Sequence, residues 1–463
     1  MLPIATFEAV KCLSGNDRKI IAMKQQDNNG TSSIKFVLRA LQSRNYRLYF
    51  MGQGVSLIGT WIQRIAQGWL VYRLTDSVFL LGIVGFSSQL PTFLVAPFAG
   101  VLVDRFSRYR ILLTAQIISA IQATILAILV LTNLVEVWHI IALGVLLGLV
   151  NAFEMPSRQS LMIEMIEHRE DLSNAIALNS TMVNGARLIG PTVAGVVIAA
   201  VGEGACFALN AASFIAVIAA LLAMRLKPQQ HRKSSGNMLA DFKDGFKYVF
   251  GFAPMRGILL LIALVSIMGM PYAVLMPAIA RDVLHGGPHT LGFLMASVGF
   301  GALAGAAFLA SRRTIVGLGN VISISALIFG VGLIAFSLSR QLWLSMVLLF
   351  FVGMGMMLTL ASSNTVLQSI VDDDKRGRLM SFYAMSFFGM APLGSLMAGS
   401  LASRIGTPGT ILAGGVACVV GALIFMMRLP AHGKLVQPIY LAKGILPEVA
   451  EGLRAANSLN ERS

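Results

Sequence analysis

The chain has 463 residues, of which 56% are hydrophobic and 12% charged, and its formal net charge is +15. Soluble domains carry roughly 25% charged residues, so a chain this apolar needs lipid as the solvent for its surface. Soluble enzymes, nucleic-acid binders and disordered chains are excluded on that ground.

Residues 1–33 are polar and lack a long apolar core, so they do not read as a secretory signal. Residues 1–40 are expected to form a flexible tail. Apolar stretches long enough to span a bilayer then recur at roughly 47–72, 79–103, 110–131, 135–156, 173–200 and 205–225. A charged connection at 226–255 follows, with Lys227, Arg232, Lys233, Asp241, Lys243, Asp244 and Lys247. Six more stretches lie at roughly 256–280, 290–310, 315–338, 342–363, 377–402 and 409–428, before a tail at 429–463. The expected fold is all-α and polytopic: twelve membrane helices in two six-helix bundles, 41–225 and 256–428, joined by the 226–255 linker.

Lys and Arg set the orientation. With the N-terminus inside, only Arg73, Arg281, Arg340 and Arg404 of the 36 fall on the outer side, and Arg64 and Arg187 lie within the membrane. Both termini are therefore expected in the cytoplasm. Three scattered cysteines offer no disulfide framework.

The halves also share residues at one spacing. Ile166, Gly185, Gly190, Ala194 and Gly195 recur as Ile370, Gly389, Gly394, Ala398 and Gly399, each 204 positions later. A duplicated six-helix unit gives such a pattern.

The turn after the second stretch reads Gly100-Val-Leu-Val-Asp104-Arg105-Phe-Ser-Arg108-Tyr-Arg110. Here the chain resembles the major facilitator superfamily, whose corresponding loop carries Gly-x-x-x-Asp-Arg-x-x-Arg-x-Lys/Arg. Thr75-Asp76-Ser77, Asn151 through Gln159 and Asn174 through Ser180 bring it close to the branch of enterobactin-type siderophore exporters. The resemblance covers about 40–428 and implies a gate built on Gly100, Asp104, Arg105, Arg108 and Arg110. It implies that Asp104 meets the start of the eleventh helix, where Asp372-Asp373-Asp374 await Arg105 or Arg108. The equivalent turn of the second half has Gly305, Ser311, Arg312 and Arg313 but no aspartate, so the gate is expected to be asymmetric. The segment Gly185-Ala-Arg187-Leu-Ile-Gly190-Pro191-Thr-Val-Ala-Gly195 resembles a degenerate Gly-Pro signature of proton-coupled exporters, with its glycines expected at helix contacts.

Gln53, Ser56, Thr60, Gln63, Arg64 and Gln67 draw one polar stripe on the first helix, and Ser173, Ser180, Asn184 and Arg187 another on the fifth. Polar groups in hydrocarbon must face water or one another. The stripes line either a cavity or a structural network; Gln63, Arg64, Gln67, Asn184 and Arg187 are taken as cavity residues. Intramembrane acids are few. Glu154 and Asp104 are the candidates for carrying a coupling proton, although Glu154 is equally placed to pair with Arg158 one turn away. The methionines dense from the seventh helix onward fit either a pliable pocket or ordinary packing. No nucleotide-binding Gly-x-x-x-x-Gly-Lys-Ser/Thr occurs, and neither a nucleophile–base arrangement nor a zinc spacing is evident, so no enzyme, cofactor or metal is expected.

The expected function is secondary transport by alternating access: proton-coupled export of a small amphipathic anion, siderophore-like or drug-like, by a monomer in a bacterial inner membrane. An importer of the same fold, and a receptor or scaffold, are the competing readings.

Overall fold

The computed structural model describes residues 38–225, 238–312, 314–372 and 375–443. Its described residues hold helices and no strands. The first bundle comprises α1 (Arg44–Thr75), α2 (Val78–Arg105), α3 (Arg108–Leu131), α4 (Val137–Glu164), α5 (Leu172–Val201) and α6 (Glu203–Leu222). After α7 (Met238–Gly251) come α8 (Ala253–Leu264), α9 (Tyr272–Ala278), α10 (Pro288–Ser311), α11 (Leu318–Leu338), α12 (Leu342–Ile370), α13 (Arg376–Ala384) and α14 (Met390–Ala442).

Ten segments are long and apolar enough to cross a membrane. Residues 253–283 count as one, because α8 and α9 join through the π-helical turn Val265–Gly269 and a second such turn, Ile279–Val283, follows. Residues 376–442 also count as one, through the π turn Met385–Gly389. That last segment has the length of two crossings and breaks at Gly406, whose φ of 79° suits glycine and few other residues. The 32-residue α1 is absent from the ten because its polar stripe dilutes its apolar content.

Three boundaries differ from the sequence reading. The tail ends earlier than residue 40: a 3₁₀ turn at Arg39–Gln42 is anchored by Arg39 to Asp171, and the Ala40 N–H donates to Asn174 Oδ1. The linker contains the amphipathic α7, whose Phe246 and Phe250 pack on Phe382 of α13. The last helix runs on to residue 442 because His432 and Val436 find buried positions and Lys443 Nζ donates to the carbonyls of Ser369 and Val371, at 3.0 and 2.6 Å. Residues 1–37, 226–237, 313, 373–374 and 444–463 lie outside the description.

Within the first bundle α1 packs on α5 and α6, and α4 on α2 and α3; in the second, α10 and α11 pack on α12, and α14 packs on α11. The halves meet along two seams, α5 with α10 and α2 with α14. At each seam a glycine pair allows near-contact of backbones. A Cβ on Gly195 would lie 3.0 Å from Gly292 Cα, and one on Gly82 2.8 Å from Gly399 Cα. Gly195 and Gly399 are the residues related by the 204-residue repeat, so the repeat is a seam-forming device used twice.

The apolar core shows where the halves join. One cluster combines Ile62–Tyr72 of α1 and Leu81 and Val84 of α2 with the whole second half. A separate cluster of the first half, around Tyr46, Leu112, Leu161 and Met165, stands alone. The first-half members of the first cluster lie at the end where α1 finishes, the far end, while its second-half members run the length of their bundle; the second cluster lies at the end of the α2–α3 turn, the basic end. The bundles are thus fused at the far end and have separate cores at the basic end. Exposed side chains such as Ile121, Ile215, Leu338 and Met427 clothe the outer surface, and Trp138 and Trp343 stand exposed near the far-end starts of α4 and α12, where amphipathic rings favour a membrane interface.

Candidate functional site

Between the bundles α1 and α5 turn their polar faces inward. Arg64 is exposed although it belongs to the middle of α1, so its side chain stands in open space between helices. Its guanidinium lies 4.7 Å from the centroid of the Trp61 ring, and that of Arg187 lies 5.8 Å from the same ring. Trp61 is fixed by α5, where a Cβ on Gly190 would come within 2.3 Å of the Trp61 Cβ; this glycine admits the indole. Arg187 reaches across to the second half, with Nη2 3.8 Å from Met356 Sδ and Tyr272 within electrostatic range. No carboxylate forms an ion pair with either guanidinium among the described residues. Asn184, Ser180 and Ser173 continue the α5 face toward the basic end, with Asn184 Nδ2 donating to the Ser180 carbonyl at 2.9 Å. Gln67 is half-buried beside Gly144 of α4.

Gln63 does not belong with them. It is buried, its Nε2 donates to Gln122 Oε1 at 3.1 Å, and its Oε1 accepts from Asn210 Nδ2 at 2.7 Å. With both ends of its amide engaged in a buried network, it ties α1 to α3 and α6. Gln53 and Ser56 are buried as well. The α1 stripe is therefore wider than the cavity: one edge is a structural network, the other the site.

Glu154 sits among α1, α3 and α4. Arg158 Nη1 lies 3.5 Å from its Oε1, Gln116 Nε2 3.4 Å, and Tyr49 is close by. It is a paired group within the first bundle.

The basic turn divides. Arg108 Nη1 pairs with Glu164 Oε1 of α4 at 2.9 Å, within one half. Asp372 accepts from Tyr248 Oη of α7 at 3.0 Å and lies 3.5 Å from Lys375 Nζ. Arg110 is exposed. Gly100, Asp104 and Arg105 lie on α2, and their side chains, like Asp373 and Asp374, fall outside the description. Of the Gly-Pro segment, Gly190 and Gly195 make the close contacts expected, Pro191 is buried, and Gly185 is not at a contact: a Cβ there would meet nothing within 4 Å.

The sequence reading missed the contact that closes the far end. Arg281 Nη1 meets Asp76 Oδ1 at 2.5 Å, and the Tyr72 hydroxyl donates to Asp282 Oδ2, so α1 is bound to the end of the seventh segment by two polar links. Arg281 also stands over the Tyr72 ring at 5.7 Å. Asp76 caps α1 in the left-handed region, φ 48°, which aspartate tolerates better than most residues. Asp76 was visible only as part of the Thr75-Asp76-Ser77 resemblance, and no local pattern pairs it with a residue 205 positions away. Next to these links, Arg73 Nε pairs with the buried Glu203 at 2.7 Å.

Comparison with known proteins gives a consistent picture. The family model described as transmembrane secretion effector matches residues 37–443. The staphyloferrin A transporter of Staphylococcus aureus is 23% identical over 380 residues, covering 82% of this chain and 95% of that one. The multidrug efflux pump Tap of Mycobacterium tuberculosis is 26% identical over 393 residues, covering 83% and 91%. Among solved structures, a bacterial homologue of the human lysosomal transporter Spinster, inward-facing and unoccupied, superposes with a TM-score of 0.61 at 15% identity, covering 86% of this chain and 98% of that one.

Proposed function

From the premise that the chain belongs to the transmembrane secretion effector family of major facilitator transporters, which are not enzymes, we propose that it is a proton-coupled exporter of small amphipathic anions. The carrying observation is the pair of guanidiniums, Arg64 and Arg187, over one indole with no carboxylate to neutralise them. Two cations in a low-dielectric cavity raise the local potential and attract an anion. Trp61, half-buried between the two guanidiniums, offers its ring to the anion's apolar part. The relatives include a siderophore transporter and drug efflux pumps, which favours export over import and over a scaffold.

The reading takes α1 and both parts of 376–442 as crossings, which makes twelve helices in two repeats, with the basic end and both termini in the cytoplasm of a bacterial inner membrane. Closure at the far end and separation at the basic end then correspond to a cavity open inward. Alternating access requires the Asp76–Arg281 and Tyr72–Asp282 links to break as the halves rock, with the substrate released outward. The proton is assigned to Glu154 or Asp104. In Glu154 its uptake would free Arg158, one turn on, and loosen α4 against α1 and α3.

Everted membrane vesicles test this. An anionic amphiphile such as carboxyfluorescein should accumulate when an acid-inside gradient is imposed, and Glu154→Gln should abolish the gradient-driven part while leaving counterflow exchange. Accumulation that ignores the gradient removes proton coupling; unaltered gradient-driven accumulation in Glu154→Gln moves the proton to Asp104.

A further inference from the structure

A groove of about 500 Å³ lies on the outer surface of the first bundle at the basic end, between α3 and α4. Its walls are apolar: Ile111 and Ile118 on α3, and Leu146, Leu149 and Phe153 on α4. Its mouth is different in kind. There Ser107 and Arg110 stand beside Phe106, which is 58% exposed. Arg110 is exposed and forms no ion pair among the described residues, in contrast to Arg108 two positions earlier. The groove therefore has a cation at the level of the membrane interface and hydrocarbon below it. From Arg110 to Ile118 it descends about 12 Å at ~1.5 Å per residue, enough for the upper part of one acyl chain.

We propose that this groove is a binding site for an anionic phospholipid of the inner leaflet, with the phosphate on Arg110 and one acyl chain between α3 and α4. Three features select this occupant. Gly144 and Gly148 pack on α2 from the other side of α4, and Leu149 on the groove wall is exposed, so the space opens away from α2, toward lipid. The guanidinium makes a charge-assisted bond to a phosphate, and the Ser107 hydroxyl, which accepts from the Arg110 N–H at 3.5 Å, keeps its own proton to donate. The 24-residue α3 begins at Arg108, so its N-terminal partial charge adds to that of Arg110. The same positive field repels the ammonium of a zwitterionic headgroup, which is why the site discriminates by net charge. The proposal rests on the orientation proposed above and not on what the protein transports.

The test uses the purified full chain carrying Leu149→Trp in vesicles of phosphatidylcholine with a minor fraction of one acyl-brominated lipid. Because the parent has four tryptophans, the signal is the quenching added by the introduced indole. Brominated phosphatidylglycerol should quench at least twofold more than brominated phosphatidylcholine at equal fraction, and adding Arg110→Gln should bring the two to equality. Ile118→Trp on the opposite wall gives the same reading if the first variant does not fold. Equal quenching by the two lipids, or a preference that survives Arg110→Gln, overturns the proposal.

Discussion

The two halves share an architecture and divide the chemistry. The first half contains the intramembrane ions: Arg64 and Arg187 in the cavity, and Glu154 with Arg158 inside the bundle. It also holds the Gln63–Gln122–Asn210 network, and its described helices contain no π turn. The spans of the second half carry no charge between Arg256 and Arg281 or between residues 283 and 311. All three π-helical turns of the described residues are there instead. Two of them touch, since Ser266 Oγ donates to the Phe387 carbonyl at 2.5 Å. A π turn leaves backbone groups out of register and marks a place where a helix can bend. In the function proposed above, this division means that one copy of the duplicated unit reads the ligand's charge while the other supplies compliance.

The largest effect expected from breaking this division is at the cavity. Arg187→Gln and Arg64→Gln each remove a charged hydrogen-bonding partner, worth ~1.5–3 kcal/mol, so export of an anionic dye should fall about 10- to 100-fold with normal amounts of protein in the membrane. Loss of the protein from the membrane instead would make the arginines structural.

The far-end links come next. The Asp76–Arg281 pair is exposed, with side-chain accessibilities of 70% and 41%, and such pairs contribute only ~0–1 kcal/mol. The Tyr72 hydroxyl is bonded to a carboxylate and its residue is buried, which is worth ~1.5–3 kcal/mol. Tyr72→Phe should therefore shift the protein toward outward-open states more than Asp76→Asn. The check is the rate at which an impermeant thiol reagent labels Gln67→Cys from outside. Equal labelling in both variants and the parent would show that the apolar contacts alone hold this end shut.

Ser266→Ala sharpens the contrast between the halves. It leaves the Phe387 carbonyl without its donor and should slow transport severalfold with little change in dissociation constant. Gly185→Ala is the smallest case, since nothing lies within 4 Å of the added methyl; transport and melting temperature should match the parent, whereas Gly195→Leu should separate the α5–α10 seam and abolish export.

Much of this was legible in the residues because lipid forces simple patterns. The apolar stretches, the halfway linker and the repeated glycines each reflect a local requirement, and Gly195 and Gly399 turned out to occupy equivalent seams. Arg64 and Arg187 were legible for the same reason: a cation in hydrocarbon needs an explanation. Gln63 was misplaced because periodicity resolves a face only to within a residue or so, and two edges of one stripe served different purposes. Arg281 and Asp282 found their partners across the interface between halves, where sequence spacing carries no information. The π turns have no signature in composition, since they depend on how neighbouring helices crowd, as Phe329 and Cys418 do at Gly269.

The central claim is that the first half selects an anion through two unneutralised guanidiniums. The most direct measurement is the dissociation constant of a matched pair of amphiphiles, identical except for a carboxylate or an ammonium headgroup, with the purified protein and with Arg187→Gln. The account predicts at least tenfold tighter binding of the carboxylate to the parent protein, and loss of most of that preference in Arg187→Gln. Equal affinity for the two, or tighter binding of the ammonium, would contradict it.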